Sequence, residues 1–291
     1  MEAEVIGKKR QEVSLPQLAR QKHDNLRKII LEAQSVVVAF SGGVDSTFLL
    51  KVCVDLLRNG VLAITARSET FPKRELEEAR YLAKEIGAKH IIIDSEELRV
   101  PGFSDNPPNR CFLCKTELFS KIKKIAASRD IRWVFDGSNA DDPKDFRPGR
   151  MAAKKLGICS PLEEVGLTKE EIRVLSKSLN LSTWDKPSFA CLSSRFPYYT
   201  KITELALRRV EDAENYLFQL GMRVFRVRHY DTLVRIELGE KEMSLFGQSN
   251  LRNQVVKHFK SLGYKYVTLD LEGYRTGSMN EALTKDQRFL K

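Results

Sequence analysis

The sequence is poor in the features that mark several broad classes of protein. Its five cysteines are an odd count, and residues 1–10 are rich in charge with no apolar segment, so neither a disulfide framework nor a secretory signal is expected. No uncharged apolar run is long enough to cross a bilayer, which excludes a membrane-spanning helix and makes the cytoplasm the expected location. Only four histidines occur, His23, His90, His229 and His258, and none lies in a motif, so no histidine-based mechanism is supported. There is no internal repeat, low-complexity tract or arginine-rich tail. A second C-x-x-C is absent, which disfavours a four-cysteine zinc ribbon within the chain. No G-K-[ST] follows the glycine pair at residues 42–43, which excludes a Walker loop.

What is present is an ordinary globular composition of 291 residues, 42% hydrophobic and 30% charged, enough for one large or two modest domains. The net charge of +10 suits anionic substrates such as nucleotides, and permits RNA without demanding it. Hydrophobic spacing predicts a helix over residues 16–33, then strands at 36–40, 61–66, 89–94 and 132–136 alternating with helices at 72–86 and 111–128. Thr168 and Glu171 have capping-box spacing and start another helix. This rhythm predicts a doubly wound parallel sheet over residues 1–200. Beyond residue 200 the pattern changes to a helix at 203–220, paired strands at 223–228 and 232–238, helices at 240–246 and 251–262, and a strand at 264–271. Residues 201–291 are therefore expected to form a smaller α+β domain.

Ser41-Gly42-Gly43-Val44-Asp45-Ser46 lies between an apolar run and a helical pattern. Glycines let the backbone turn tightly against an anion, and the N–H groups and dipole of the following helix attract negative charge. Hydroxyls of Ser41, Ser46 and Thr47 add donors, so the stretch reads as a phosphate cradle. Asn139, Asp141 and Asp142 follow the fourth strand, at the edge where open α/β sheets bind ligands; they can hold magnesium, position a nucleotide or cap a turn. Cys111 and Cys114 form a C-x-x-C at a helix start beside Arg110 and Lys115, which fits half a zinc site, a redox pair or part of an iron–sulfur site. Cys191 sits in a basic loop with Lys186 and Arg195, as a nucleophile, a third ligand or plain packing. Cys53 reads as core. Arg226 and Arg228 alternate with Phe225 and Val227, so both guanidiniums face one side of a strand. Paired arginines suit a substrate phosphate, although a solvated face has the same pattern.

The S-G-G-x-D-S stretch resembles the PP-loop ATP pyrophosphatases, which cleave ATP between the α and β phosphates. The chain also resembles the LarE family of ATP-dependent sulfur transferases that make the nickel-pincer nucleotide cofactor. The resemblance rests on Ser41 to Ser46, Asp136-Gly137-Ser138-Asn139-Ala140-Asp141-Asp142, Asp145-Phe146-Arg147-Pro148-Gly149, Trp184-Asp185-Lys186-Pro187-Ser188 through Arg195, and Gly273-Tyr274-Arg275-Thr276-Gly277-Ser278-Met279-Asn280. It implies adenylation of the carboxylates of a pyridinium dicarboxylate mononucleotide and their conversion to thiocarboxylates. Ser41, Gly42, Gly43, Asp45 and Ser46 would hold ATP and its pyrophosphate, with magnesium at Asp45 and Asp141. Arg195, Arg226 and Arg228 would meet the substrate phosphate. Family members with only the Cys191-type cysteine consume it as the sulfur donor and leave dehydroalanine. This chain adds Cys111 and Cys114, and in that respect resembles thiolases whose three cysteines hold a four-iron, four-sulfur cluster. The cofactors implied are ATP, magnesium and that cluster. The expected partners are the small-molecule nucleotide substrate, a sulfide donor and a second copy in a homo-oligomer. The main rival reading is a tRNA thiolase, which would need an RNA-binding patch or module that the sequence does not display.

Overall fold

The computed structural model describes residues 14–142, 148–284 and 287. Asp145, Phe146 and Arg147 of the family-like stretch lie outside the described residues. Four parallel strands form the first sheet: β1 (Val36–Ala39), β2 (Val61–Arg67), β3 (Lys89–Asp94) and β4 (Trp133–Phe135), in the order β3-β2-β1-β4. A single parallel bridge from Phe135 to Cys159 extends the β4 side. Successive residues of a strand point to opposite faces, and both faces of β1 are buried. Val36 and Val38 join one core with α1 (Leu15–Ala33), α2 (Val44–Leu57), α3 (Lys73–Ile86) and α7 (Lys169–Ser178). Val37 joins the other with α4 (Arg110–Ala127) and Ala153 of α5 (Gly149–Lys155). This is the expected doubly wound arrangement. The chain runs outward from β1 through β2 to β3, then crosses back to β4 on the other side of β1. That reversal makes the carboxyl ends of β1 and β4 the edge at which open α/β sheets bind ligands.

Element ends match the sequence reading within a few residues. Thr168 caps α7 through the expected reciprocal box, and Gly87 closes α3 with φ +80°. α5 and the short α6 (Pro161–Glu164) were not expected from hydrophobic periodicity, which cannot register in one or two turns.

The second sheet has the order β5-β6-β7, from β5 (Phe225–Tyr230), β6 (Leu233–Leu238) and β7 (Tyr266–Leu269). β5 and β6 form an antiparallel hairpin, whereas β7 pairs parallel to β6 after a crossover through α9 (Glu240–Leu245) and α10 (Ser249–Ser261). Its core is made by α8 (Glu204–Gln219), α10 and the strands, including Leu217, Val227, Ile236 and Phe259. A small cluster of Leu192, Phe196, Ile202, Leu207 and Val210 packs across residue 200. Among the described residues no helix is long and apolar enough to cross a membrane.

Candidate active site

The loop between β1 and α2 turns at Gly42, whose φ is +72° and where a Cβ would meet the Cα and Cβ of Ala79 at 3.2 Å. Glycine answers both the left-handed backbone and the close approach of α3. The Ser46 hydroxyl donates to the Gly43 carbonyl (3.2 Å), accepts from the Ser41 N–H (3.3 Å) and meets the Ser41 hydroxyl (3.1 Å), which ties the loop to the start of α2. Gly137, two residues past β4, lies flat against that helix start: a Cβ there would stand 3.0 Å from the Ser46 nitrogen. The loop that follows β4 is knotted by its own side chains. Asp136 accepts from Ser138 and Ser160, the Asp141 N–H donates to Asn139 Oδ1, and the Asn139 N–H donates to Asp142.

Asp45 Oδ2 pairs with Lys169 Nζ at 2.6 Å, while Asp45 Oδ1 is buried and has no hydrogen-bond partner among the described residues. Asp141 accepts the Lys169 N–H at 2.8 Å, so both expected magnesium ligands meet one residue at the start of α7. Lys186 Nζ donates to the Gly42 carbonyl and pairs with Glu75 and Glu78, each at 2.8 Å. Sequence reasoning missed Lys169 because its partner Asp45 lies 124 residues away. The only hint was the capping box that places it on the first turn of α7.

The three cysteines come together at the same carboxyl edge. Cys111 and Cys114 occupy the first turns of α4, and Cys191 precedes a 3-10 turn, Leu192–Arg195. The Leu192 N–H donates to the Thr70 carbonyl (2.8 Å), three residues past β2. Buried Asn106 donates to the Phe196 and Pro197 carbonyls and accepts from Arg110, which joins the approach to α4 to the Cys191 segment. Burial pushes the Cys114 thiol well up, with Glu97 and Cys191 adding to the effect. Burial also raises Cys191, against the opposing charge of Arg110 and reinforced by Cys111 and Glu97. Each thiol is thus within electrostatic reach of the others. The Cys114 thiol donates to Glu97 Oε1 at 3.5 Å. Among the described residues no three Cys, His, Asp or Glu side chains stand close enough for one metal ion. A cluster differs from a single ion in taking each thiolate on a separate iron, so wider spacing of convergent thiols suits it. Cys53 is fully buried in the core, as expected, and Cys159 stands apart from the trio beside Asp136 and Glu164.

The arginines are placed differently from the sequence reading. Arg195 is 1% exposed and meets Glu214 through two bonds, 2.8 and 2.9 Å, while its other terminal nitrogen donates to the Ala190 and Cys191 carbonyls and to Ser194. Its expected place at a substrate phosphate is taken up by these internal partners. Arg226 and Arg228 do share one strand face, but it is buried rather than solvated. Arg226 donates to the Ser188 carbonyl and Arg228 to the Ser194 carbonyl, with Glu237 and Ser278 holding Arg228 from the other side. Three arginines therefore clamp the carbonyls of the Cys191 loop. Arg226 alone has no carboxylate bonded to it among the described residues. Burial and the nearby Arg195 charge both make its cation less favourable.

Comparison with known proteins identifies the family. Residues 18–106, which include the PP-loop and β1, β2 and β3, match the NAD synthase family. An uncharacterized protein of Synechocystis is 44% identical over 91% of this chain and 98% of its own length. The LarE pyridinium-3,5-bisthiocarboxylic acid mononucleotide synthase of Lactiplantibacillus plantarum is 39% identical over 88% of this chain and 92% of its own length. The chain belongs to the LarE family. It is an enzyme, an ATP-using sulfur transferase with a PP-loop. A fungal GMP synthase from Phaeosphaeria nodorum is 24% identical over 79% of this chain but only 48% of its own length.

The family's use of ATP implies magnesium. The unpartnered Asp45 Oδ1 fits it, because magnesium is held by one or two carboxylates together with substrate phosphates.

Proposed function

We propose that this enzyme adenylates the carboxylates of pyridinium-3,5-dicarboxylate mononucleotide with ATP and converts them to thiocarboxylates, with sulfur drawn from a four-iron, four-sulfur cluster held by Cys111, Cys114 and Cys191. The observation that supports it is the approach of Cys191 to the Cys111 and Cys114 pair, distant from it in the chain, at the sheet edge that also bears the PP-loop. The substrate carboxylate attacks the α-phosphorus of ATP, and pyrophosphate leaves. Sulfur then attacks the acyl carbon, and AMP leaves. Ser41, Gly42, Gly43 and Ser46 cradle the departing pyrophosphate with helix N–H groups and hydroxyls. Asp45 and Asp141 orient magnesium, and Lys169 keeps a cation at Asp45 until the metal arrives. Arg226, a buried cation without a carboxylate, takes the substrate phosphate with Arg228 beside it. Arg195 holds the Cys191 loop by its carbonyls. When bound, the cluster supplies sulfide that is renewed from outside, so no side chain is consumed. The unit built on the second sheet, from about residue 201, contributes the phosphate grip.

The sacrificial route through Cys191 makes the opposite forecast, and one experiment separates them. The protein is reconstituted anaerobically with iron and sulfide, then supplied with ATP, substrate and excess sulfide. The expected products are AMP and pyrophosphate over repeated turnovers, with the protein mass unchanged. Cys111→Ala, Cys114→Ala and Cys191→Ala should each lose the cluster and the activity together. A single turnover with loss of roughly 34 Da, as thiol becomes dehydroalanine, would overturn the cluster route. ADP as the product would overturn the ATP chemistry.

A further inference from the structure

We propose that Lys186 is a positioning residue of the PP-loop: it fixes the orientation of the Gly42–Gly43 peptide, so that the Gly43 N–H is presented to the leaving pyrophosphate. On the reading above that this loop cradles pyrophosphate, the cradle is held in shape by a side chain 144 positions away in the chain. Two adjacent glycines leave the peptide between them free to turn over, because neither has a Cβ to restrict it. A trans peptide carries its C=O and its N–H on opposite sides. Turned one way, this peptide offers an anion the Gly43 N–H. Turned the other way, it offers the Gly42 carbonyl, which repels. The Gly42 carbonyl accepts from Lys186 Nζ at 3.2 Å. The Gly43 N–H therefore points away from Lys186 and into the loop, where it donates to Ser41 Oγ at 3.4 Å. That is a long bond, readily exchanged for one to a phosphate oxygen. Gly43 is also the N-cap of α2, so its N–H stands beside the free N–H groups of that helix start.

Lys186 is fixed at both ends. Its carbonyl and that of Trp184 accept from Arg173 on α7, at 2.7 and 2.6 Å. Its side chain is 13% exposed, and its ammonium pairs with Glu75 and Glu78 on α3, each at 2.8 Å. An ammonium has three donors, and here they meet three acceptors: two carboxylates and the Gly42 carbonyl. None is left for a phosphate, so Lys186 acts on the anion through the backbone and not by touching it. The two carboxylates alone would complete a structural ion pair; the third contact is the one that reaches the PP-loop. Ala79 of α3 lies 3.2 Å from where a Gly42 Cβ would stand. The helix that carries both carboxylates is thus also the floor of the loop.

The test uses the full-length protein labelled with glycine enriched in carbon-13 at its carbonyl and nitrogen-15 at its amide. Residues 42 and 43 are the only adjacent glycines in the sequence, so Gly43 alone among the glycines has its labelled nitrogen bonded to a labelled carbonyl and gives a single correlated amide signal. Inorganic pyrophosphate and AMP are titrated separately, with magnesium present, into wild type, Lys186→Met and the triple variant Lys186→Met/Glu75→Met/Glu78→Met. In the wild type, pyrophosphate should shift the Gly43 signal strongly. In Lys186→Met that shift should be lost and pyrophosphate affinity should fall by about tenfold or more, the cost of a hydrogen bond to a charged group. AMP affinity should hold, because AMP carries none of the phosphates that leave. The triple variant removes the two carboxylates that Lys186→Met leaves unpaired and supplies no new donor, so it carries the test where the single variant fails to fold, as judged by thermal unfolding. Its pyrophosphate affinity should stay several-fold below that of the wild type. Wild-type affinity in the triple variant would show that Lys186 acts only by offsetting the carboxylates, and would overturn the peptide role. So would a Gly43 shift unchanged in the variants, or an equal fall in AMP and pyrophosphate affinity. A wild type that binds no pyrophosphate would overturn the cradle reading itself, and that is seen before any variant is compared.

Discussion

The pair Arg195–Glu214 joins the Cys191 loop to α8 and is almost completely buried, with side chains 1% and 6% exposed. Burial alone would raise the Glu214 carboxyl, but the Arg195 charge and its bonds outweigh that and hold it below the ordinary carboxylate range. Glu214→Leu removes one member and leaves a guanidinium buried without its counter-ion. Such a break costs about 3–5 kcal/mol. The Val227 N–H, which donates to Glu214 Oε1 at 3.1 Å, also loses its acceptor. In Arg195→Met/Glu214→Leu neither charge of the pair remains. What is then lost is the bonding of Val227 and of the Ala190 and Cys191 carbonyls, roughly 1–3 kcal/mol by the usual cost of unsatisfied groups. The double variant should therefore be about 2 kcal/mol more stable than Glu214→Leu. Urea unfolding of the wild type, both single variants and the double variant at neutral pH measures this coupling. Sulfur transfer should not recover in the double variant, because the loop bearing Cys191 has lost two carbonyl anchors. A double variant no more stable than Glu214→Leu would refute the coupling, and recovered activity would refute the clamp.

Gly137→Ala would press a methyl group on the Ser46 nitrogen and Cα, at 3.0 and 3.2 Å, and backbone cannot yield as a side-chain tip can. Stability should fall by about 1–3 kcal/mol, and ATP binding should weaken by about tenfold as the start of α2 shifts; calorimetric titration showing unchanged ATP affinity would refute the contact. His229, buried against Tyr264 and Phe196, is pushed down to about 4 by burial and by Arg209. The unfolded chain therefore binds a proton near pH 6.5 that the folded chain refuses, so this contribution is present above pH 6.5 and is lost as pH falls toward 4. Between pH 7 and pH 5 it should cost about 2 kcal/mol, a dependence that denaturant unfolding should find missing in His229→Gln. An equal pH dependence in the variant would place the effect elsewhere.

Residues adjacent in the chain were legible from the sequence because their physics is local. The glycine turn at 42–43, the Thr168 capping box and the alternation of strands with helices each depend on a few neighbouring φ/ψ choices and a repeating apolar face, and each forms where expected. The alternation of Arg226 with Val227 likewise assigned both arginines to one strand face. It could not say what lies opposite, because burial is a property of the packed chain and not of the strand. Only the tertiary structure turned that face toward the carbonyls of Ser188 and Ser194. The same holds for the parallel pairing of β7, which follows from a crossover and leaves no mark in its own residues. Glu97 beside Cys114, Lys169 on Asp45 and Glu214 on Arg195 are ion pairs and hydrogen bonds made across 17, 124 and 19 residues of chain. Long polar side chains carry no periodic signature, and their partners are chosen only when the backbone has brought distant segments within about 3 Å. The kinds of chemistry present were thus written in short motifs. Which groups meet, which carboxylate oxygen is left without a partner, and which arginine holds the loop were decided by the fold.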